Sequence, residues 1–133
     1  MDPAFLKLVP QRHDQDCLIC CLAMLLGTSY EATLLAVSKI KPDSGTHGLY
    51  WTDARKAARK LGYKVRTVRI KRTYPSLIGV LDCVPTRADQ LHHAVMILRG
   101  VVVDPHNQSV WDDWEAYLEM EGYHAGSVLV RVP

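Results

Sequence analysis

Asp16-Cys17-Leu18-Ile19-Cys20-Cys21-Leu22-Ala23-Met24-Leu25-Leu26, closed by Gly27, is apolar on nearly every side. A helix without a polar face belongs in the middle of a domain. Eleven residues are too few to cross a bilayer, which takes roughly twenty. Glycine suits the residue just past a helix C-terminus. Upstream, Pro10-Gln11-Arg12-His13-Asp14-Gln15-Asp16 is polar and loop-like, which places Cys17 in the first helical turn. There the unpaired backbone N–H groups and the positive end of the macrodipole favour a thiolate. A cysteine so placed becomes a nucleophile when an imidazolium is near. The commoner fate of a free cysteine is to be a small core hydrophobe. That reading suits Cys20 and Cys21, and Cys17 taken alone would fit it too.

A second stretch decides between these readings. Leu91-His92-His93-Ala94-Val95-Met96-Ile97-Leu98 has the pattern of a strand with histidines at its mouth. Arg99-Gly100 then makes a tight hairpin turn into Val101-Val102-Val103-Asp104-Pro105. Side chains alternate along a strand, so His93 shares a face with Val95 and Ile97, and His92 with Ala94 and Met96. Only one of the two histidines is expected to point at a site. Pairing about residues 99–100 sets 93–95 opposite 104–106 and brings Asp104 within hydrogen-bonding reach of His93. Such a pair is also common as plain surface chemistry; the buried cysteine helix upstream is what gives it meaning. Gln11, six residues before Cys17, can aim its amide at a developing oxyanion, with the Cys17 N–H as the second donor. Gln15 competes for that role but lies close to Cys17 for reaching over it. His13 is an alternative base, though a solvated loop position suits it better.

The run Gln11-x-x-x-x-Asp16-Cys17 into Cys21-Leu22-Ala23-Met24 resembles the nucleophile motif of the bacteriocin-processing (double-glycine leader) peptidases of the papain-like group. His93-Ala94-Val95 is similar to their histidine strand, and Val103-Asp104-Pro105 to the strand carrying their orienting aspartate. Gly45-Thr46-His47-Gly48-Leu49 through Lys60-Leu61-Gly62-Tyr63-Lys64 is similar to the middle segment. The resemblance spans about residues 8 to 105. It implies an α+β, papain-like cysteine peptidase fold, with N-terminal helices and the nucleophile helix packed on a C-terminal antiparallel sheet. It further implies Cys17 as nucleophile, His93 as general base, Asp104 as orienting acid and Gln11 as oxyanion donor. At one position the chain departs from the family: Leu18 stands where glycine usually follows the nucleophile.

Composition agrees with a single domain over residues 1–133, read as standing alone. The 133 residues carry 16 Lys and Arg against 14 Asp and Glu, a net charge of +2, and 48% are hydrophobic. Neither disorder nor a dominant polyanion partner is indicated. Residues 1–5 lack the charged-then-apolar pattern of a secretory signal. Three of the four cysteines share one helix, whose geometry is wrong for bridging, so the chain reads as reduced and cytoplasmic. Cys17-x-x-Cys20 has no second pair to complete four zinc ligands, and no metal or other cofactor is expected. The basic run Lys64-Val65-Arg66-Thr67-Val68-Arg69-Ile70-Lys71-Arg72 reads as a charge-protected edge strand. No aromatic residue interleaves it, so no nucleic-acid partner is expected, and no membrane partner either.

The remaining layout is α+β in order. Thr28-Ser29-Tyr30-Glu31 reads as a capping box opening a helix to about Lys39. Residues 41–48 form a loop bordering a groove. A helix over 51–61 has Ala54, Ala57, Ala58 and Leu61 as its core stripe and Gly62 as its stop. Strands are expected over 63–71, 77–83, 92–98, 101–103 and 127–132, with a helix over 111–120. Trp111 and Trp114 read as packing residues, while Trp51 follows the groove-side loop and could line a subsite. The function so read is a cysteine peptidase or hydrolase with a peptide or protein substrate. An amidase or acyltransferase on the same triad, or an inactive binding or regulatory protein of the same fold, is the alternative.

Overall fold

The computed structural model describes residues 8–133. The opening residues 1–5, read above for signal character, lie outside the described residues. Five helices and six strands follow in chain order: α1 (Cys17–Leu26), α2 (Tyr30–Ser38), α3 (Ser44–His47), α4 (Trp51–Lys60), β1 (Val65–Val68), β2 (Ile78–Pro85), β3 (His93–Leu98), β4 (Val101–Val103), β5 (Val110–Trp111), α5 (Trp114–Glu121) and β6 (Tyr123–Arg131). The strands form one sheet in the order β1-β6-β2-β3-β4-β5, and every pairing is antiparallel.

Helix α1 is buried along its whole length, as its composition requires. Gly27 ends it in the left-handed conformation, φ 65°, where the absence of a Cβ removes the steric cost. One face of the sheet packs on α1: Val80, Ala94, Met96, Leu98, Val103 and Leu129 join its core. The other face, with Leu81, Val95, Ile97, Val102 and Val128, packs on Trp114, Tyr117 and Leu118 of α5. The sheet is therefore a middle layer with a helix on each side. The hairpin turn has Arg99 at φ 48° and Gly100 at φ 82°. Two positive φ values in succession are those of the turn whose twist matches paired strands.

Several boundaries differ from the sequence reading. The first strand is only four residues: after the Val68↔Val128 pair the chain leaves β6, which itself continues to Tyr123; β1 is an edge strand. The last strand begins at Tyr123, since α5 stops at Gly122 (φ 77°) and the chain turns straight into the sheet. The two-residue β5 and the single-turn α3 are too short to leave a periodic signal. Helix α2 is capped by Ser29, whose hydroxyl accepts from Ala32 N at 3.0 Å. Thr28 does not cap it, so the reciprocal box read from the sequence is not formed.

If α1 carries the core, Leu22→Ala should cost about 3 kcal/mol, whereas Leu35→Ala on the exposed side of α2 should fall within about 0.5 kcal/mol. Leu22 is fully buried and Leu35 is 63% exposed. Urea denaturation of the two variants beside the parent checks the contrast.

Candidate active site

Cys17 is the first residue of α1 and 9% exposed. It lines a groove of about 490 Å³ together with Gln15, Leu18, Leu49, Trp51 and His93. The groove runs between the start of α1, the segment before α4 and the mouth of β3. Burial pushes the thiols of Cys20, Cys21 and Cys83 up, so these three stay neutral.

His93 Nε2 lies 2.8 Å from Asp104 Oδ1, with side-chain exposures of 14% and 5%. With Nε2 committed to the carboxylate, Nδ1 is the ring nitrogen left for the thiol. Burial opposes the imidazolium, but hydrogen bonds to Asp104 and to the Cys17 thiol, with their charges, outweigh it and push the pKa up to about 10. Asp104 is shifted the other way. Burial would raise its pKa, but the His93 ion pair, the Tyr117 hydroxyl and the His106 N–H together hold it below the usual carboxylate range. Oδ1 accepts from His93 and, at 2.9 Å, from His106 N; Oδ2 accepts from Tyr117 Oη at 2.7 Å. Tyr123 stacks over the His93 ring with centroids 6.1 Å apart, and His106 meets it edge-on at 6.4 Å.

Asp104 follows β4 just past the last ladder pair, Met96↔Val103. It thus meets His93 on the diagonal and not directly opposite. By pleat His93 belongs to the α5 side of the sheet with Val95 and Ile97, yet at the strand mouth its ring also reaches the groove. His92, on the α1 side, lines the groove as well, and its Nδ1 lies 3.2 Å from Asp82 Oδ1. Both histidines reach the site, because the end of a strand is open on both faces; the expectation of only one is corrected.

Gln11 is placed differently from its expected aim. Its backbone N–H donates to Pro105 O at 2.9 Å, tying the loop before Cys17 to the segment after Asp104. Its amide Nε2 donates to His13 O at 2.9 Å and Asp14 O at 3.3 Å, and its Oε1 is buried without a partner. The amide hydrogens therefore face their own loop. Gln15 is the glutamine that lines the groove. His13 is exposed.

Two residues escaped the sequence reading. Asp16 is fully buried, and its Oδ2 accepts from Arg12 N at 3.1 Å, His13 N at 3.3 Å and Tyr30 Oη at 2.7 Å. It is the N-cap residue by position but makes no cap bond; it looks backward and folds the loop 11–16 onto α2. Tyr117 orients the buried carboxylate from α5. The aspartate directly before Cys17 was visible in the sequence as a signal for the first. Tyr117 had none, since a tyrosine on an amphipathic helix reads as packing.

Among the described residues no three His, Cys, Asp or Glu side chains gather as metal ligands. Nor, among them, is any single helix long and apolar enough to cross a membrane.

Against known proteins, residues 6–93 match the model of the Peptidase C39 family. The crystal structure of the peptidase domain of Streptococcus ComA, described as a bifunctional ABC transporter of a quorum-sensing pathway, superimposes with TM-score 0.61 at 19% identity. That alignment covers 96% of this chain and 98% of the other. A double-glycine-motif protease from an AMS/PCAT transporter, solved with its leader peptide, gives TM-score 0.66 at 18% identity, covering 99% and 94%. No protein of curated function matches significantly. The fold is that of the papain-like C39 peptidase domains. The chain belongs to the Peptidase C39 family and is a cysteine peptidase.

The opposed shifts set a pH dependence. Asp104, held low, contributes stability above its unfolded pKa of about 3.9 and loses it as pH falls through its folded value. His93, raised to about 10, contributes fully below its unfolded value of about 6.5 and loses that as pH rises toward 10. The stability gap between the parent and His93→Gln should thus be widest between about pH 4 and 6.5 and shrink by pH 10. Urea midpoints across pH measure it. Tyr117→Phe, which strands a buried carboxylate oxygen, should cost about 1–3 kcal/mol and move the acid limb of any activity profile upward.

Proposed function

We propose that Cys17, His93 and Asp104 form the catalytic triad of a peptidase acting on peptide substrates, with Gln11 as oxyanion donor. Support comes first from the 2.8 Å His93–Asp104 bond, set in a groove whose wall carries a helix-terminal cysteine. His93 Nδ1 accepts the Cys17 proton, and the resulting thiolate attacks the scissile carbonyl. The tetrahedral oxyanion is held by the Cys17 backbone N–H and a side-chain amide. Collapse breaks the C–N bond, imidazolium His93 returns its proton to the departing amine, and water then hydrolyses the thioester with His93 again as base. Asp104 holds the ring in one tautomer throughout.

Donation by Gln11 requires its amide to leave the His13 and Asp14 carbonyls when substrate enters. Catalytic hydrogen bonds commonly tighten only in the complex. Gln15, already in the groove, is the second reading for this one role. Since the AMS/PCAT protease binds a leader peptide, a peptide with a double-glycine cleavage site is the substrate to try first.

Cleavage of such a peptide, followed by mass spectrometry, should be abolished in Cys17→Ala and fall about 10³-fold or more in His93→Ala. Gln11→Ala should lose about 10²–10³-fold in kcat, with Gln15→Ala near the parent. The reverse order for the two glutamines would transfer the oxyanion role to Gln15. Undiminished cleavage by Cys17→Ala would refute the mechanism.

A further inference from the structure

Residues 55 to 72 contain nine lysines and arginines and no acidic residue, more than half of the chain's 16 cations. All but Arg55 are exposed, and none of the nine takes part in an ion pair among the described residues. Arg55 is half-buried, with its Nε unpartnered. Protection of an edge strand accounts for charges on β1, but not for those on α4, which has no edge to protect.

The arrangement of α4 connects this surface to the groove. Its core face is Ala54, Ala57 and Ala58, all fully buried. Trp51, at its first position, lines the groove beside Cys17 and is fixed by a 3.1 Å bond from its Nε1 to Thr67 Oγ1 on β1. Residues four apart stack on one helix face, so Trp51, Arg55 and Arg59 form a ridge that leaves the groove and turns cationic within one turn. Lys56 and Lys60, both exposed, form the ridge beside it. At 1.5 Å per residue the ridge from Trp51 to Lys60 is about 14 Å long, the reach of roughly four extended residues.

We propose that this ridge is an exosite for an acidic segment flanking the scissile bond of the peptide substrate. The proposal deepens the peptidase reading and rests on it. The groove selects the residues at the bond, and the α4 surface holds a carboxylate-bearing flank four or more residues away. Exposed pairs are individually weak and screened by salt; several acting together shift KM and leave the chemistry at Cys17 to the groove.

The test uses three fluorogenic peptides with one Gly-Gly cleavage segment. One carries four glutamates on the N-terminal flank, one carries them on the C-terminal flank, and one has glutamines at both. The parent should cleave one of the acidic peptides with kcat/KM about tenfold above the neutral one. That ratio should fall to about one in Lys56→Glu/Arg59→Glu/Lys60→Glu and in 0.5 M salt, with the change in KM. A Gln-for-Glu version of the triple variant, checked for an unchanged melting curve, separates charge from folding. Equal kcat/KM for all three peptides, or a ratio untouched by the charge reversal, would overturn the exosite. So would tighter binding of phosphatidylglycerol vesicles or duplex DNA than of the acidic peptide, which would assign the surface to a membrane or a nucleic acid. If no peptide is cleaved, the peptidase reading of this substrate fails by itself. Anisotropy of the fluorescein-labelled acidic peptide with Cys17→Ala then decides the exosite, with salt-sensitive binding for it and none against.

Discussion

The carboxylate of Asp104 is the group around which the C-terminal half of the chain is arranged. Burying a charge is costly unless hydrogen-bond donors meet it. Here each oxygen is supplied from a different element: His93 from β3, the His106 N–H from the turn after β4, and Tyr117 from α5. The hairpin at residues 99–100 sets the first, the short β5 turn the second, and the packing of α5 on the sheet the third. The aromatic stack of Tyr117, Tyr123 and His93 fills the space between them. Remove that charge and the reason for this convergence goes with it.

The N-terminal half solves the complementary problem of presenting a thiol from a buried helix. Helix α1 offers no side chain to water except near its first turn. Asp16, a second buried carboxylate, fixes how the chain enters that turn by accepting two loop N–H groups and the Tyr30 hydroxyl. The halves are then joined at the site by the Gln11 N–H to Pro105 O bond. Asp104 and Asp16, one per layer, thus position His93 and Cys17, the proposed reacting groups, and the apolar core holds the layers in register.

Much of this was legible in the sequence. Helix α1 was plain because ten consecutive apolar residues closed by a glycine have the length and composition of a buried helix. The β3–β4 hairpin was plain because alternation and an Arg-Gly turn agree, and that pairing brought His93 to Asp104. What escaped depends on tertiary direction. Asp16 sits where an N-cap should, but its carboxylate turns backward to Tyr30, fourteen residues along the chain, a direction that neither propensity nor period encodes. Tyr117 reads as a packing residue until α5 is docked. Both histidines reach the groove because the strand ends there, and alternation rules hold only within a ladder. The aim of the Gln11 amide is set by two loop carbonyls that no spacing rule could anticipate.

The proposed triad rests on a proton shared between Cys17 and His93. The most direct measurement is the pH dependence of Cys17 alkylation by iodoacetamide, read by peptide mass spectrometry, in the parent and in His93→Ala. An assembled pair predicts selective reaction of Cys17 well below the free-thiol pKa of about 8.5, lost in His93→Ala, with Cys20, Cys21 and Cys83 unmodified throughout. A Cys17 that stays inert up to alkaline pH, or that reacts alike with and without His93, would contradict it.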